Sequence, residues 1–157
     1  NGELTQFKDA ALLDDMKVNG FWAYQKSGSP LESNYTDTQF VYGYTVASGN
    51  TFVTQRAVTV YTGVWIERTL GIRNSDGQWS PWAYVNPPMA DNKEYRTIER
   101  LGGKAIYKKK DSSGNILYRV DGETTWRHNL TSVLSADLYG DTIPDAGTPG
   151  RIFFKKV

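Results

Sequence analysis

A chain of 157 residues with 39% hydrophobic residues, 22% charged residues and a formal net charge of +1 reads as one globular unit, or two small ones sharing an interface. These figures exclude a disordered tail, a collagen-like rod and a strongly basic nucleic-acid clamp. With no Cys and a single His, disulfides, thiolate zinc sites, Fe–S clusters and any metal site needing two imidazoles are excluded as well.

Five Trp, ten Tyr and six Phe carry most of the apolar surface, and such flat rings suit β-sheets and contact surfaces. Charge is uneven along the chain: residues 1–50 hold three Lys against six acids, residues 101–157 nine Lys and Arg against six. No apolar run approaches the roughly 20 residues of a membrane span, and no signal peptide opens the chain. The start, NGELTQF without an initiator Met, reads as a piece of a longer polypeptide.

In chain order, residues 8–18 (KDAALLDDMKV) predict a short helix, since Ala11, Leu12 and Met16 recur at helical spacing and Asp9 can cap the start. From Gly20 onward, brief runs of Tyr, Thr, Val and Phe alternate with turn clusters (SGSP, ASGN, NSDGQ, DSSGN) and predict β-strands. Residues 54–61 and 63–73 alternate in the manner of a hairpin. Pro81, inside WSPW, cannot donate to a central ladder and predicts an edge or a bulge. Asn86-Pro87-Pro88 is the expected joint between a first unit, 1–86, and a second, 87–157. Past it, 94–101, Gly102-Gly103, 104–110 and 116–122 predict a three-stranded meander, and RIFFKKV at 151–157 a last strand. The fold expected is mainly β, with a short N-terminal helix and antiparallel sheets in a knob or sandwich.

Two indoles three apart in WSPW (79–82) can offer ring faces to a sugar, although each taken singly is more often a core plug. The basic run Lys93, Arg96, Arg100, Lys104, Lys108, Lys109 and Lys110 can attract an anionic polymer such as a phosphate- or uronate-bearing glycan. Its blander reading is a solvated edge whose lysines prevent strand addition. Signals for catalysis are poor: chance carboxylate pairs such as Asp121 and Glu123 carry little weight, His128 lacks a nucleophile context, and no catalytic residue is assigned. The acid-rich turns DSSGN and DLYGDTIPD do not match a calcium loop, and no phosphate loop or dinucleotide fingerprint occurs, so no metal and no cofactor are expected.

Residues 19–85, with NGFWAYQ, the Gln55-Arg56 strand, Trp65 to Arg68 as W-I-E-R, and WSPW, resemble the pyocin-knob type module of phage and prophage tail fibres. The stretch that follows, with P-P-M, E-Y-R-T and G-K-x-x-Y, and the terminal AGTPGRIFFKKV resemble segments of phage fibre tips. The resemblance implies a β-rich, non-enzymatic receptor-binding region of a homotrimeric tail fibre, extracellular on the virion. Its implied partner is a bacterial surface polysaccharide or teichoic acid-like glycan, with no nucleic acid and no membrane insertion. The expected contacts are Trp65, Trp79 and Trp82 as stacking rings, Arg73 and Asp76 as hydrogen-bonding or charged partners on the adjacent turn, and Trp126 on the second unit. Two rivals are a polysaccharide depolymerase with a carboxylate pair in a groove, and a purely structural trimerisation module.

Overall fold

A computed structural model describes residues 4–49, 51–71 and 77–129. The protein is mainly β. Among the described residues nine strands are found: β1 Thr5–Phe7, β2 Gly20–Gln25, β3 Phe40–Ser48, β4 Phe52–Thr59, β5 Trp65–Leu70, β6 Ala83–Tyr84, β7 Glu94–Leu101, β8 Lys104–Lys110 and β9 Ile116–Val120. They form one sheet in chain order. Every join is antiparallel except β1–β2 and β6–β7, which are parallel, so the sheet is mixed where an antiparallel one was expected.

The hairpins follow from turn chemistry. Gly102 and Gly103 both take positive φ, 55° and 78°, the backbone of a two-residue turn whose twist matches that of the flanking strands. The expected β7–β8–β9 meander is present, with its third strand ending at Val120 rather than 122 and a register shift between Arg96 and Arg100. The expected hairpin at 54–61 and 63–73 is present as β4 and β5, with Val58 opposite Trp65. Pro81 lies just ahead of the two-residue β6, where no ladder bond is asked of it. The sheet continues past Asn86-Pro87-Pro88: Tyr84 pairs with Thr97, and the Tyr84 and Tyr95 rings meet edge-on at 5.0 Å.

One face of the sheet is roofed by the connecting segments. Trp22, Tyr24, Val41, Ala57, Ile66, Tyr84 and Tyr95 project from the strands into the core, where Leu13, Val64 and Trp82 join them. Met16, Leu31, Tyr35 and Met89 close over them from the loops. Gly43 is required beneath Trp22, because a Cβ there would stand 2.4 Å from the indole ring. The Trp22 Nε1–H donates to Thr45 Oγ1 at 3.1 Å, so the buried indole has its polar partner.

The N-terminal segment departs from expectation. Residues Ala10–Asp15 form a 3-10 helix rather than an α-helix over 8–18, although Asp9 does cap it by accepting from the Ala11 N–H at 3.0 Å. Side chains from the sheet compete for its carbonyls. Gln55 Nε2 donates to the Leu13 and Met16 oxygens at 2.8 and 3.1 Å, and Trp79 Nε1 donates to the Asp14 oxygen at 3.1 Å. Held this way, the segment is pinned flat on the sheet, with Leu13 fully buried, instead of continuing to coil.

Candidate functional site

Two groups of rings and cations lie on opposite faces of the sheet. On the roofed face, the Arg68 guanidinium lies 4.3 Å from the Trp79 ring and 4.8 Å from the Trp82 ring. Its Nε donates to Gln55 Oε1 at 2.8 Å and its Nη1 to Asp14 Oδ1 at 2.7 Å. Burial lowers the Arg68 pKa from its ordinary value, and the bond to Asp14 opposes that shift. Arg68 thus ties β5, Gln55 of β4, the 3-10 segment and WSPW together. Trp82 is 8% exposed and also meets Trp22 edge-on at 6.5 Å, so its ring is a core element with no face left for a sugar. Trp79 is half-buried, with its indole N–H already engaged by Asp14.

On the other face a single line of side chains crosses the sheet. Phe21 stands opposite Tyr44, Tyr44 opposite Arg56, Arg56 opposite Glu67, and Glu67 opposite Ala83. The parallel join pairs Tyr84 with Thr97, so one residue earlier Ala83 and Arg96 share this face, and both line a small notch with Glu67. Arg96 then stands opposite Tyr107, Tyr107 opposite Arg119, and the bridge between Tyr118 and Arg127 sets Arg119 beside Trp126. With neighbouring strands about 4.8 Å apart, the steps along the row add up to roughly 38 Å.

The chemistry changes along this row. At the β2–β3 end the rings are open: Phe21 is 68% exposed, meets Tyr44 edge-on at 6.4 Å, and is flanked by Tyr42 and Val46, 46% and 57% exposed. In the centre Arg56 donates through Nε and Nη2 to Glu67 Oε2 at 3.1 and 2.6 Å, and that bond raises the arginine's pKa. At the β7–β9 end cations alternate with rings. Arg96 lies 5.9 Å from the Tyr107 ring, Arg119 4.3 Å from Tyr107 and 5.2 Å from Trp126, and Lys109 4.4 Å from Trp126.

Of the residues expected from sequence to contact a ligand, Trp65 lies on this open face one register step from the row, half-exposed, and Trp126 ends the row. Trp79 and Trp82 lie on the roofed face with Arg68. Arg73 and Asp76 fall outside the described residues, as do the acid-rich turn at 137–145 and the terminal RIFFKKV. Phe21, Tyr42, Tyr44 and Arg56 were not singled out as contacts, although the alternation of Tyr42, Tyr44 and Val46 carries the signal. The Asp111 carboxylate of DSSGN is used by its own turn, accepting from the Ser113 and Asn115 N–H groups and the Asn115 side chain at 2.9, 2.8 and 3.1 Å. These bonds, the Asn115 side chain foremost, hold its pKa below the usual carboxylate range. Among the described residues no group of three His, Asp or Glu is placed to hold a metal ion. Comparison with protein-family models, curated proteins and solved structures returns no match, so the functional reading rests on the geometry of the chain itself.

Proposed function

We propose that the chain is a non-enzymatic adhesion module, the receptor-binding part of a trimeric phage tail fibre, which lays a bacterial surface glycan across the open face of its sheet. The observation that carries this reading is the transverse row, with the exposed Phe21 ring beside half-buried Tyr44, the Arg56 guanidinium held by a buried Glu67, and further donors beyond. Sugars present apolar C–H faces that pack on aromatic rings and hydroxyls that need fixed donors and acceptors, so an extended saccharide is served by both ends of such a row. A hydroxyl exchanging water for protein gains only about 1 kcal/mol per bond. A threefold assembly offsets this weakness, because once one site holds a repeating polymer the next meets it at high effective concentration. The carboxylates near the row are engaged with arginines, Glu67 with Arg56 and Asp121 with Arg96, which favours binding over acid–base cleavage.

A panel of bacterial surface polysaccharides, read by calorimetry, tests the proposal with Phe21→Ala and Tyr44→Ala. Both variants are expected to keep the fold and to weaken binding at least tenfold. A blank panel, or variants that bind like the parent, overturns the reading. A change of mass by light scattering in these variants, together with a blank panel, assigns the open face to contacts between copies instead.

A further inference from the structure

We infer that the β7–β9 end of the row reads an anionic group, a carboxylate or a phosphate carried by the saccharide, so that the preferred ligand is an acidic polysaccharide. This rests on the adhesion reading above and names its substrate class.

The fold sorts the basic run between its two faces. Lys108 and Lys110 point to the roofed side, where Glu99 and Asp91 hold their ammonium groups at 2.8 Å each. Arg96, Lys109 and, between them, Arg119 of β9 gather on the open side with Tyr107 and Trp126. Their acidic partners stand farther off: Asp121 is 3.3 Å from Arg96 and Glu94 is 3.6 Å from Arg119, both carboxylates about half-exposed. Lys109 reaches no carboxylate among the described residues. At this end of the sheet Lys108 and Lys110 are thus held by close carboxylates, whereas the carboxylates beside Arg96 and Arg119 stand at 3.3 and 3.6 Å, with the Arg119 Nη1 also donating to the Glu123 oxygen at 2.9 Å.

The rings determine what these donors can do. Stacking on Tyr107 and Trp126 restricts the side chains before any ligand arrives, and a planar guanidinium held that way loses less freedom when it takes up an anion in two parallel hydrogen bonds. With cations over the rings, this end offers N–H groups where the β2–β3 end offers bare carbon. An oxyanion meets both needs: it accepts several of these bonds, and it replaces the exposed Glu94 and Asp121 at little cost in desolvation. The ligand then lies with its ring faces toward Phe21 and Tyr44 and its charge toward Arg119 and Lys109.

The test uses the full chain and three probes: dextran as a neutral polymer, polygalacturonate as a carboxylate polymer and poly(glycerol phosphate) as a phosphate polymer. At least one acidic polymer is expected to bind tenfold or more tighter than dextran, and the tighter of the two identifies the charged group. Raising salt to about 0.5 M should remove most of that preference, since exposed charges are screened within a few ångströms there. Lys109→Gln, beside Trp126 in the stack, should weaken acidic binding by roughly threefold and dextran binding by less than that. Equal affinity for all three probes, or a Lys109→Gln variant with parent affinity, overturns the inference and leaves adhesion standing. Failure of adhesion looks different: no polysaccharide binds at all, neutral or acidic, and the inference falls with it.

Discussion

The two cation–ring stacks use the same chemistry to different ends, and burial separates them. In the Trp79–Arg68–Trp82 stack the guanidinium side chain is 9% exposed, sits between two indoles and is fixed by Gln55 and Asp14. In the stack of Arg96, Tyr107, Arg119, Trp126 and Lys109 the two guanidinium side chains keep 19% and 17% of their surface exposed, about twice that of Arg68, and the ionic partners stand at 3.3 and 3.6 Å. A cation removed from water depends on the protein for its partners, here Gln55, Asp14 and the two indole faces, with Nη2 buried without a hydrogen bond, so the first stack is a strut. The second stack, with its wider ion pairs, is the one proposed to exchange partners with a ligand.

Substitutions that sharpen this contrast differ in size. Arg68→Ala strips Gln55, Asp14 and both indoles of their common partner and should cost about 3 kcal/mol in urea unfolding, with little dependence on salt. Arg119→Ala removes the middle cation of the open stack and should cost about 1 kcal/mol, a loss that shrinks as salt is raised.

Tyr84 probes the roofed side by pH. Its hydroxyl is buried with no hydrogen-bond partner, and burial foremost, with smaller contributions from Glu32 and neighbouring tyrosines, pushes its pKa well above the ordinary value. The folded protein thus holds Tyr84 neutral while the unfolded chain ionises it from about pH 10, so the stability present below that pH is lost as pH rises past it. Tyr84→Phe should raise stability at neutral pH by about 1 kcal/mol and flatten the alkaline loss, as read by thermal melts from pH 8 to above pH 10. The smallest effect is Lys109→Gln, expected within about 0.5 kcal/mol of the parent in the same melts. A large loss at Lys109, or a salt-sensitive loss at Arg68, would erase the distinction between the two stacks.

Much of the fold was legible in the chain. The meander announced itself through Gly102-Gly103, and the β4–β5 hairpin through its alternation. Which side of that alternation is buried was not legible, because the usual polarity is inverted. Gln55 and Thr59 point inward, where each finds hydrogen-bond partners, while Val58 and Val60 point outward. The helix was misjudged for a related reason: periodicity reports local preference, whereas the carbonyls of residues 13, 14 and 16 are claimed by Gln55 and Trp79 from distant parts of the chain. The indoles could not be sorted by composition either. Trp82 and Trp65 look alike in sequence, and only the register that sets Ile66 opposite Tyr84 and Glu67 opposite Ala83 puts them on opposite faces.

The five tryptophans also provide the most direct test, since each contributes one indole N–H signal to a nitrogen-edited NMR spectrum. Titrating a bound polysaccharide into labelled protein should shift the signals of Trp65 and Trp126 and leave those of Trp22, Trp79 and Trp82 in place. Movement of Trp79 and Trp82 with Trp65 and Trp126 unmoved would put the ligand on the roofed side and contradict the account.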